Sequence, residues 1–311
     1  MSHTNPLLGG QHAEGFLSQY WQRKPLLIRQ ALPGWANPLE PQELAGLALE
    51  EEIESRLVLE HGTSPWELRH GPFSELTFAE LPETGWTLLV QGLDLWVPEV
   101  AALLDRFDFI PRWRLDDVMA SLAAPGGSVG PHFDQYDVFL LQVVGERRWQ
   151  VGALCDERTP LLKDTDLKIL AEFTPEHEWL LRPGDMLYLP PRVSHWGVAH
   201  TKCVTYSVGF RSPSVADMLA DLAGDLLERD ARAIYQDPPL HPAMARDDID
   251  TAFVAQAKRQ LLELIDDDEL VGDWLARFMT SPKYPDLLNF TDEKRQADWN
   301  GATYRNGRRI G

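Results

Sequence analysis

Between residues 85 and 210 the chain is a succession of short β-favouring segments separated by glycine and proline turns. The segments are WTLLVQG, WRLDDVMASLAAPGG, DVFLLQVVGERRWQV, EWLLRPGDMLYLPP and KCVTYSVGF. Several strands at this spacing, without helical segments between them, are typical of an antiparallel barrel or sandwich. The more polar stretch at residues 156–174 predicts a loop or insertion between two of the strands.

Helix-forming segments flank this β-rich region. Residues 14–24 predict an amphipathic helix that leads into a short strand, LLIRQ, and the acidic residues 40–60 also favour helix. After Pro213, apolar residues recur every three or four positions, which indicates a helix capped by Ser212 or Ser214. Two further helical stretches follow.

These patterns predict a mostly β protein with appended helices. We expect an N-terminal embellishment at residues 1–90, a barrel at 91–212, a helical region at 213–278 and a C-terminal segment at 279–311. The apolar faces of the helices are long relative to the barrel surface, and a homodimer is the commonest way to bury such faces. The polar tail ends at RNGRRIG without a clear closing element, which predicts a natural protein that extends further.

Charge and cysteine content restrict the partners and the compartment. The 311 residues include 48 acidic and 29 basic side chains, for a formal net charge of −19. Such a surface disfavours direct contact with nucleic acid or anionic lipid and attracts a basic protein. No segment approaches the roughly 18 apolar residues of a membrane helix, and no secretory signal is visible. Two isolated cysteines, Cys155 and Cys203, favour a reducing cytoplasm.

The segment GPHFDQYD predicts a metal site. In an extended strand, side chains at positions i and i+2 point to the same side, so His132 and Asp134 can bind one ion together. His195, in PGDMLYLPPRVSHWG, supplies a second imidazole from a distant strand. Two histidines and one carboxylate form a triad that leaves coordination positions open for a co-substrate and dioxygen. A His-x-Asp pair alone is a weak signal. The prediction is strengthened by the PGD turn, the following strand and the two prolines that precede His195.

A family resemblance rests on the same segments. GPHFDQYDVFLLQVVGERRW, PGDMLYLPPRVSHWG and TYSVGFRSPS resemble the JmjC-type ribosomal oxygenases, and most closely the bacterial branch that hydroxylates an arginine of a large-subunit ribosomal protein. The resemblance runs from about residue 16 to 230 and implies a double-stranded β-helix (cupin-type jelly-roll) barrel. It fades in the last thirty residues, where that family continues into a winged-helix-like domain that here looks truncated. It also implies Fe(II), 2-oxoglutarate and O₂ as cofactor and co-substrates.

The expected co-substrate needs a buried cation for its distal carboxylate. Arginine suits this task because its planar guanidinium binds a carboxylate through two hydrogen bonds. Arg147 follows the turn at Gly145, where a neighbouring antiparallel strand begins, and related JmjC hydroxylases have a basic residue at this spacing. Arg148 alternates to the opposite face and is the weaker candidate.

The substrate pocket is predicted from four further residues. Asp117 and Met119 share one face of a strand, Tyr136 lies two residues beyond Asp134, and Ser207 lies on a late strand. An arginine substrate needs an apolar slot, an aromatic face and an acid. Met119, Tyr136 and Asp117 supply these three features, and Ser207 adds a hydrogen bond.

Other functions remain open at this point. The same chemistry serves a JmjC-type histidyl hydroxylase or a lysine demethylase. A cupin enzyme acting on a small molecule without 2-oxoglutarate would need no carboxylate receptor, and a non-catalytic module with structural zinc would need a fourth ligand. The leading hypothesis is a cytoplasmic protein hydroxylase with a basic ribosomal protein as its substrate.

Overall fold

The computed structural model of the protein describes six stretches of the chain, which are residues 5–60, 66–163, 165–229, 234–241, 247–287 and 295–311. The chain divides into two compact units. The first, which we call the barrel unit, comprises residues 1–212 and 284–292. The second, the helical unit, comprises residues 213–283 and 293–311.

Within its described residues, the barrel unit holds eleven strands in two antiparallel sheets. The strands are β1 Leu26–Ile28, β2 Ser55–Leu59, β3 Glu67–His70, β4 Trp86–Val90, β5 Leu115–Ala123, β6 Val138–Val144, β7 Arg147–Leu154, β8 Pro175–Leu181, β9 Met186–Leu189, β10 Val193–Ala199 and β11 Cys203–Phe210. The major sheet has the order β1-β9-β6-β11-β5-β4-β2-β3, and the minor sheet has the order β10-β7-β8.

The two sheets enclose an apolar interior. Because successive side chains of a strand point to opposite faces, Val138 and Leu140 of β6 face the interior, whereas Phe139 and Leu141 face outwards. The interior cluster draws on both sheets, with Val138, Leu140, Leu187 and Leu189 from the major sheet and Trp149, Val151, Leu181 and Val193 from the minor sheet. This arrangement confirms the predicted two-sheet β-barrel.

Helices cover the outer face of the major sheet. They are α1 Ala13–Gln19, α2 Pro41–Leu47, α3 Glu75–Ala79, α4 Leu93–Trp96 and α5 Pro98–Leu104. Phe16 of α1 is fully buried, and its ring lies 5.0 Å from Tyr188 and 5.7 Å from Phe139. Leu44 of α2 and Val100 of α5 are likewise fully buried in this outer cluster. The largest apolar cluster of the described residues therefore lies behind the major sheet and makes that sheet a rigid support for the interior.

The helical unit contains α6 Val215–Glu228, α7 Thr251–Ile265, α8 Asp268–Thr280, and a small sheet of β12 Gln296–Trp299, β13 Ala302–Arg305 and β14 Arg308–Arg309. Ser214 caps α6, since its hydroxyl accepts the Asp217 backbone N–H at 3.0 Å. Leu222 and Leu226 of α6 are buried against Trp274 of α8. The predicted helices are confirmed, and of the two proposed caps the structure selects Ser214.

The small sheet corrects the expectation of a tail without a closing element. Two Asn-Gly pairs, Asn300-Gly301 and Asn306-Gly307, have positive φ at both residues. Asn-Gly with this geometry is the preferred sequence of tight hairpin turns. The turns connect β12 to β13 and β13 to β14, so the signal was present in the sequence.

Three further expectations were wrong in detail. Residues 55–59 form β2 rather than helix, because Leu57 and Val58 are fully buried and the strand pairs with β4. The helices α4 and α5 lie inside the β-rich stretch, which was predicted to have none. Helix α1 ends at Gln19, before the predicted end at residue 24, since Gln22 adopts a left-handed φ of 57° and donates its N–H to the Tyr188 hydroxyl.

The stretch at residues 156–174 contains no helix or strand within its described residues and carries one isolated bridge, Leu161 to Leu170. This confirms the predicted loop. None of the helices in the described parts of the chain has the length and hydropathy needed to cross a membrane.

Candidate active site

The backbones of His132 and His195 pair directly. Each residue donates its N–H to the carbonyl of the other, at 3.0 Å and 2.8 Å, to form an isolated antiparallel bridge. His195 lies within β10, and His132 precedes β6 on the other sheet. The bridge brings the two imidazole rings to a centroid distance of 4.3 Å, so two distant parts of the sequence meet at one point.

Asp134 completes this cluster. One ligand atom from each of His132, Asp134 and His195 lies within 4.8 Å of the others, and this is the sole such group of three or more among the described residues. The His195 Nε2 atom is 3.6 Å from an Asp134 carboxylate oxygen. His195 is 2% exposed, while the Asp134 side chain is 22% exposed. The cluster is therefore enclosed on the His195 side and open beside Asp134.

Hydrogen bonds and burial prepare both imidazoles to bind a cation. The Nδ1 atom of His132 lies 2.9 Å from the Gly130 carbonyl, and that of His195 lies 2.9 Å from the Val193 carbonyl. A carbonyl accepts, so each Nδ1 donates and each Nε2 keeps its lone pair, as in metal-binding histidines generally. Burial, and next the neighbouring His132 ring, lower the pKa of His195 to about 4. His195 is thus neutral at physiological pH.

Glycine is required where the chain approaches the cluster. Gly130 has a φ of +82°, and a Cβ at this position would lie 2.9 Å from the Ile169 side chain. A Cβ at Gly127 would lie 2.1 Å from the Trp86 carbonyl oxygen. A larger residue at Gly127 is excluded by backbone contact alone, so the path of the chain into His132 depends on glycine.

Arg147 extends into the barrel interior. It is 5% exposed, and it pairs in register with Ala199, which lies four residues after His195 on the same strand. Its Nη1 donates to the Ser121 hydroxyl at 3.0 Å, whereas its Nε and Nη2 are buried and have no hydrogen-bond partner among the described residues. An unpaired buried guanidinium is costly. The donor set fits the distal carboxylate of 2-oxoglutarate, which would accept from both nitrogens.

The neighbours of Arg147 agree with the predicted alternation and add two residues that the sequence analysis missed. Arg148 is exposed. Trp149 lies on the inner face, 5.9 Å from the His195 ring and 5.7 Å from the Arg147 guanidinium. Its indole N–H is buried and finds no partner within the described parts of the chain. Ser121, the partner of Arg147, lies on the inner face of β5. Alternation along β5 and β7 was the available signal for both.

Three of the four predicted pocket residues lie on one face of the major sheet. Met119 pairs in register with Ser207, and Asp117 lies two residues before Met119, so these three side chains share the inner face. Asp117 is 6% exposed. Tyr136 is 42% exposed, and desolvation, the Asp134 carboxylate and, more weakly, the Asp117 carboxylate raise the pKa of its hydroxyl. Tyr136 therefore lies near Asp134 of the cluster and near Asp117 of the predicted pocket.

Comparison with known proteins agrees with this geometry. A JmjC-domain family model matches residues 102–218. Ribosomal protein uL16 3-hydroxylase of Escherichia coli is 37% identical over 270 residues, which are 86% of this chain and 71% of that protein. A probable ribosomal oxygenase of Haemophilus influenzae is 39% identical over 256 residues, which are 80% of this chain and 63% of that protein.

A solved structure supports the relationship over the whole fold. YcfD, a ribosomal oxygenase from Escherichia coli in complex with cobalt and 2-oxoglutarate, matches with a TM-score of 0.83 and 33% identity. The match covers 96% of this chain and 84% of that chain. Sequence identity above 30% across most of both proteins, together with the shared barrel, establishes the family: this chain belongs to the JmjC-type ribosomal oxygenases.

Proposed function

We propose that the protein is an Fe(II)- and 2-oxoglutarate-dependent hydroxylase whose substrate is an arginine of a large-subunit ribosomal protein. The observation that carries the proposal is the combination of the His132–Asp134–His195 cluster with the buried Arg147, two of whose guanidinium nitrogens have no hydrogen-bond partner in the part of the chain that the structure describes. A three-residue cluster fits many metal proteins. A buried cation on the same interior face fits a co-substrate that carries a second carboxylate.

The chain's own residues would bind and orient the reactants. When bound, iron(II), 2-oxoglutarate and dioxygen supply the oxidising power that hydroxylates an unactivated C–H bond, with succinate and carbon dioxide as the other products. His132, Asp134 and His195 would hold the iron from one side and leave the opposite side open. Arg147 would bind the distal carboxylate of 2-oxoglutarate, and the apolar interior would exclude water.

One sequence comparison and one structure comparison support this assignment. The Escherichia coli relative acts on ribosomal protein uL16, as its name states. The related YcfD structure contains cobalt and 2-oxoglutarate, and we take the cobalt there as a stand-in for iron(II). We therefore propose uL16 as the substrate of this protein too.

The pocket chemistry favours arginine. Asp117 would accept hydrogen bonds from a guanidinium, Tyr136 would lie against its plane, and Met119 would contact the aliphatic stem. Ser207, opposite Met119, would add one hydrogen bond. A guanidinium would bring a positive charge to the buried carboxylate of Asp117, and such a charge-assisted hydrogen bond is stronger than one between neutral groups.

Charge supports a basic partner in solution. A protein of formal charge −19 attracts a basic ribosomal protein at long range, which chiefly raises the association rate and weakens as salt is added. The same charge disfavours direct binding to nucleic acid or an anionic membrane. A ribosomal protein target places the reaction in the cytoplasm.

We further propose that the protein is a homodimer through its helical region. Large apolar side chains on α6 and α7 are exposed, among them Leu219 at 62%, Leu227 at 80%, Leu261 at 65% and Leu262 at 62%. Apolar side chains repeated along two helices at this exposure favour burial against a second copy of the chain. We also propose that the C-terminal segment at 279–311 belongs to a winged-helix-like domain, as the family resemblance implies.

The carboxylate receptor can be tested with two neighbouring arginines. Arg147→Met should raise the KM for 2-oxoglutarate at least about tenfold, because charge-assisted hydrogen bonds worth about 1.5–3 kcal/mol are lost. It should not lower the thermal stability of the ligand-free protein, since a buried unpaired charge is removed. Arg148→Met, on the exposed face of the same strand, is the control and should leave KM unchanged.

An unchanged KM in Arg147→Met would contradict the receptor assignment. Absence of succinate formation by the unmodified enzyme would favour a cupin enzyme that works without 2-oxoglutarate. Steady-state assays of succinate formation over a range of 2-oxoglutarate concentrations measure this.

The arginine pocket can be tested by removing its acid. Asp117→Ala should lower kcat/KM for hydroxylation of a uL16 peptide about tenfold or more, while 2-oxoglutarate binding stays normal. Asp116→Ala removes the same charge from the adjacent residue, which ion-pairs with Arg211 at 3.6 Å, and should have a much smaller effect. Equal rates for the Asp117→Ala enzyme and the unmodified enzyme would rule out this pocket, as would hydroxylation of a histidine in place of arginine.

The dimer can be tested by light scattering at micromolar concentration. The unmodified protein should have twice the chain mass, and Leu219→Glu combined with Leu261→Glu should give the monomer mass. A monomer mass for the unmodified protein would refute the dimer.

A further inference from the structure

The Asp117 carboxylate is held by a side chain outside the predicted pocket. Gln91 follows β4, and its Nε2 donates to Asp117 Oδ2 at 2.6 Å. Its Oε1 accepts from Arg56 Nη2, on β2, at 3.2 Å. We propose that Gln91, oriented by Arg56, is a positioning residue that holds Asp117 in the rotamer that receives the substrate arginine. This inference rests on the proposed function.

The two partners fix the orientation of the Gln91 amide. An arginine only donates hydrogen bonds, and an ionised aspartate only accepts them. With Arg56 on one side and Asp117 on the other, only one of the two amide orientations satisfies both. The amide oxygen must face Arg56, and the NH₂ group must face Asp117. Arg56 therefore acts on Asp117 through Gln91, without a contact of its own.

The backbone around Gln91 is fixed as well. The Gln91 N–H donates to the Glu54 carbonyl at 2.9 Å, which continues the β2–β4 ladder by one residue. Gly92 follows with a φ of +63° and starts helix α4. The amide of Gln91 is thus carried by a strand end and a helix start rather than by a free loop. A side chain in such a setting can hold a partner to a narrow range of positions.

The positive charge of Arg56 is paired with a carboxylate other than Asp117. The Arg56 guanidinium lies 3.9 Å from a Glu54 carboxylate oxygen, and the other Glu54 oxygen accepts the Tyr284 hydroxyl at 2.9 Å. Arg56 therefore has its own counter-ion. The neutral amide of Gln91 lies between that ion pair and Asp117. On its other side, Asp117 Oδ1 faces Gly209, two residues beyond Ser207.

Loss of the Arg56–Gln91 or the Gln91–Asp117 hydrogen bond predicts a specific defect. Iron and 2-oxoglutarate would bind normally, because Gln91 and Arg56 contact neither the cluster nor Arg147. The substrate arginine would be held in a wider range of positions. A small displacement of the reacting carbon strongly lowers the rate of hydroxylation. Co-substrate would then be consumed without hydroxylation of the peptide, with an added reductant such as ascorbate returning the iron to Fe(II), so the ratio of succinate formed to arginine hydroxylated would rise.

The experiment compares two matched glutamine variants in the iron-loaded enzyme with a uL16 peptide. Gln91→Met keeps the side-chain length and removes both hydrogen bonds. Gln150→Met removes a similar glutamine–carboxylate bond, Nε2 to Glu178 at 2.8 Å, from an exposed strand pair. We expect Gln91→Met to lower kcat/KM for hydroxylation about tenfold and to raise the succinate-to-product ratio severalfold, with KM for 2-oxoglutarate unchanged. Gln150→Met should match the unmodified enzyme.

A second pair tests the part played by Arg56 and covers the case in which Gln91→Met does not fold. Arg56→Lys keeps a donor for the amide oxygen and should retain most of the coupling, whereas Arg56→Met should lose it. A general loss of structure would lower succinate and product together and leave their ratio constant. Normal coupling in Gln91→Met and in Arg56→Met would overturn the inference while leaving arginine hydroxylation intact. Absence of arginine hydroxylation in the unmodified enzyme would instead refute the proposed function.

Discussion

Two backbone hydrogen bonds, between His132 and His195, determine the geometry of the whole site. They attach the chain before β6 to β10 and thereby join the two sheets at the point where the imidazoles converge. The β10–β7 ladder then sets the second end of the site, since His195 pairs with Val151 and Ala199 pairs with Arg147. At about 3.3 Å per residue, four residues along β10 correspond to roughly 13 Å. One ladder therefore fixes both the cluster and the cation, on a common interior face.

The interior accepts unfavourable features that the fold alone does not require. Among the residues that the structure describes, two nitrogens of the buried Arg147 and the indole N–H of Trp149 beside it have no hydrogen-bond partner. Such groups lower stability unless a ligand satisfies them. The extensive apolar cluster on the outer face of the major sheet, around Phe16 and Tyr188, offers the compensating stability. The outer face of the major sheet thus contributes stability through packing, whereas the barrel interior holds the residues of the candidate active site.

Much of this could be read from the sequence, and the misses have physical causes. Alternation of side chains along a strand predicted the positions of His132, Asp134 and Arg147. This rule is local, and tertiary packing did not change its outcome here. The strand at residues 55–59 was missed because its apolar run is short and its acidic surroundings favour helix, while pairing with β4 decides the outcome. Gln91 could not be found, because its importance arises from hydrogen bonds to residues distant in sequence. Local patterns cannot encode such contacts.

In this structure the triad and Arg147 would hold iron(II) and 2-oxoglutarate, and the pocket at Asp117 would select an arginine for hydroxylation. Mass spectrometry of the uL16 protein after incubation with the purified enzyme, Fe(II), 2-oxoglutarate and ¹⁸O₂ tests this assignment. We expect one labelled oxygen on an arginine side chain, and none when His132→Ala or Asp134→Ala replaces the unmodified enzyme, because two remaining ligands hold the iron too weakly. Labelled arginine formed at the normal rate by the His132→Ala enzyme would refute the assignment of the triad.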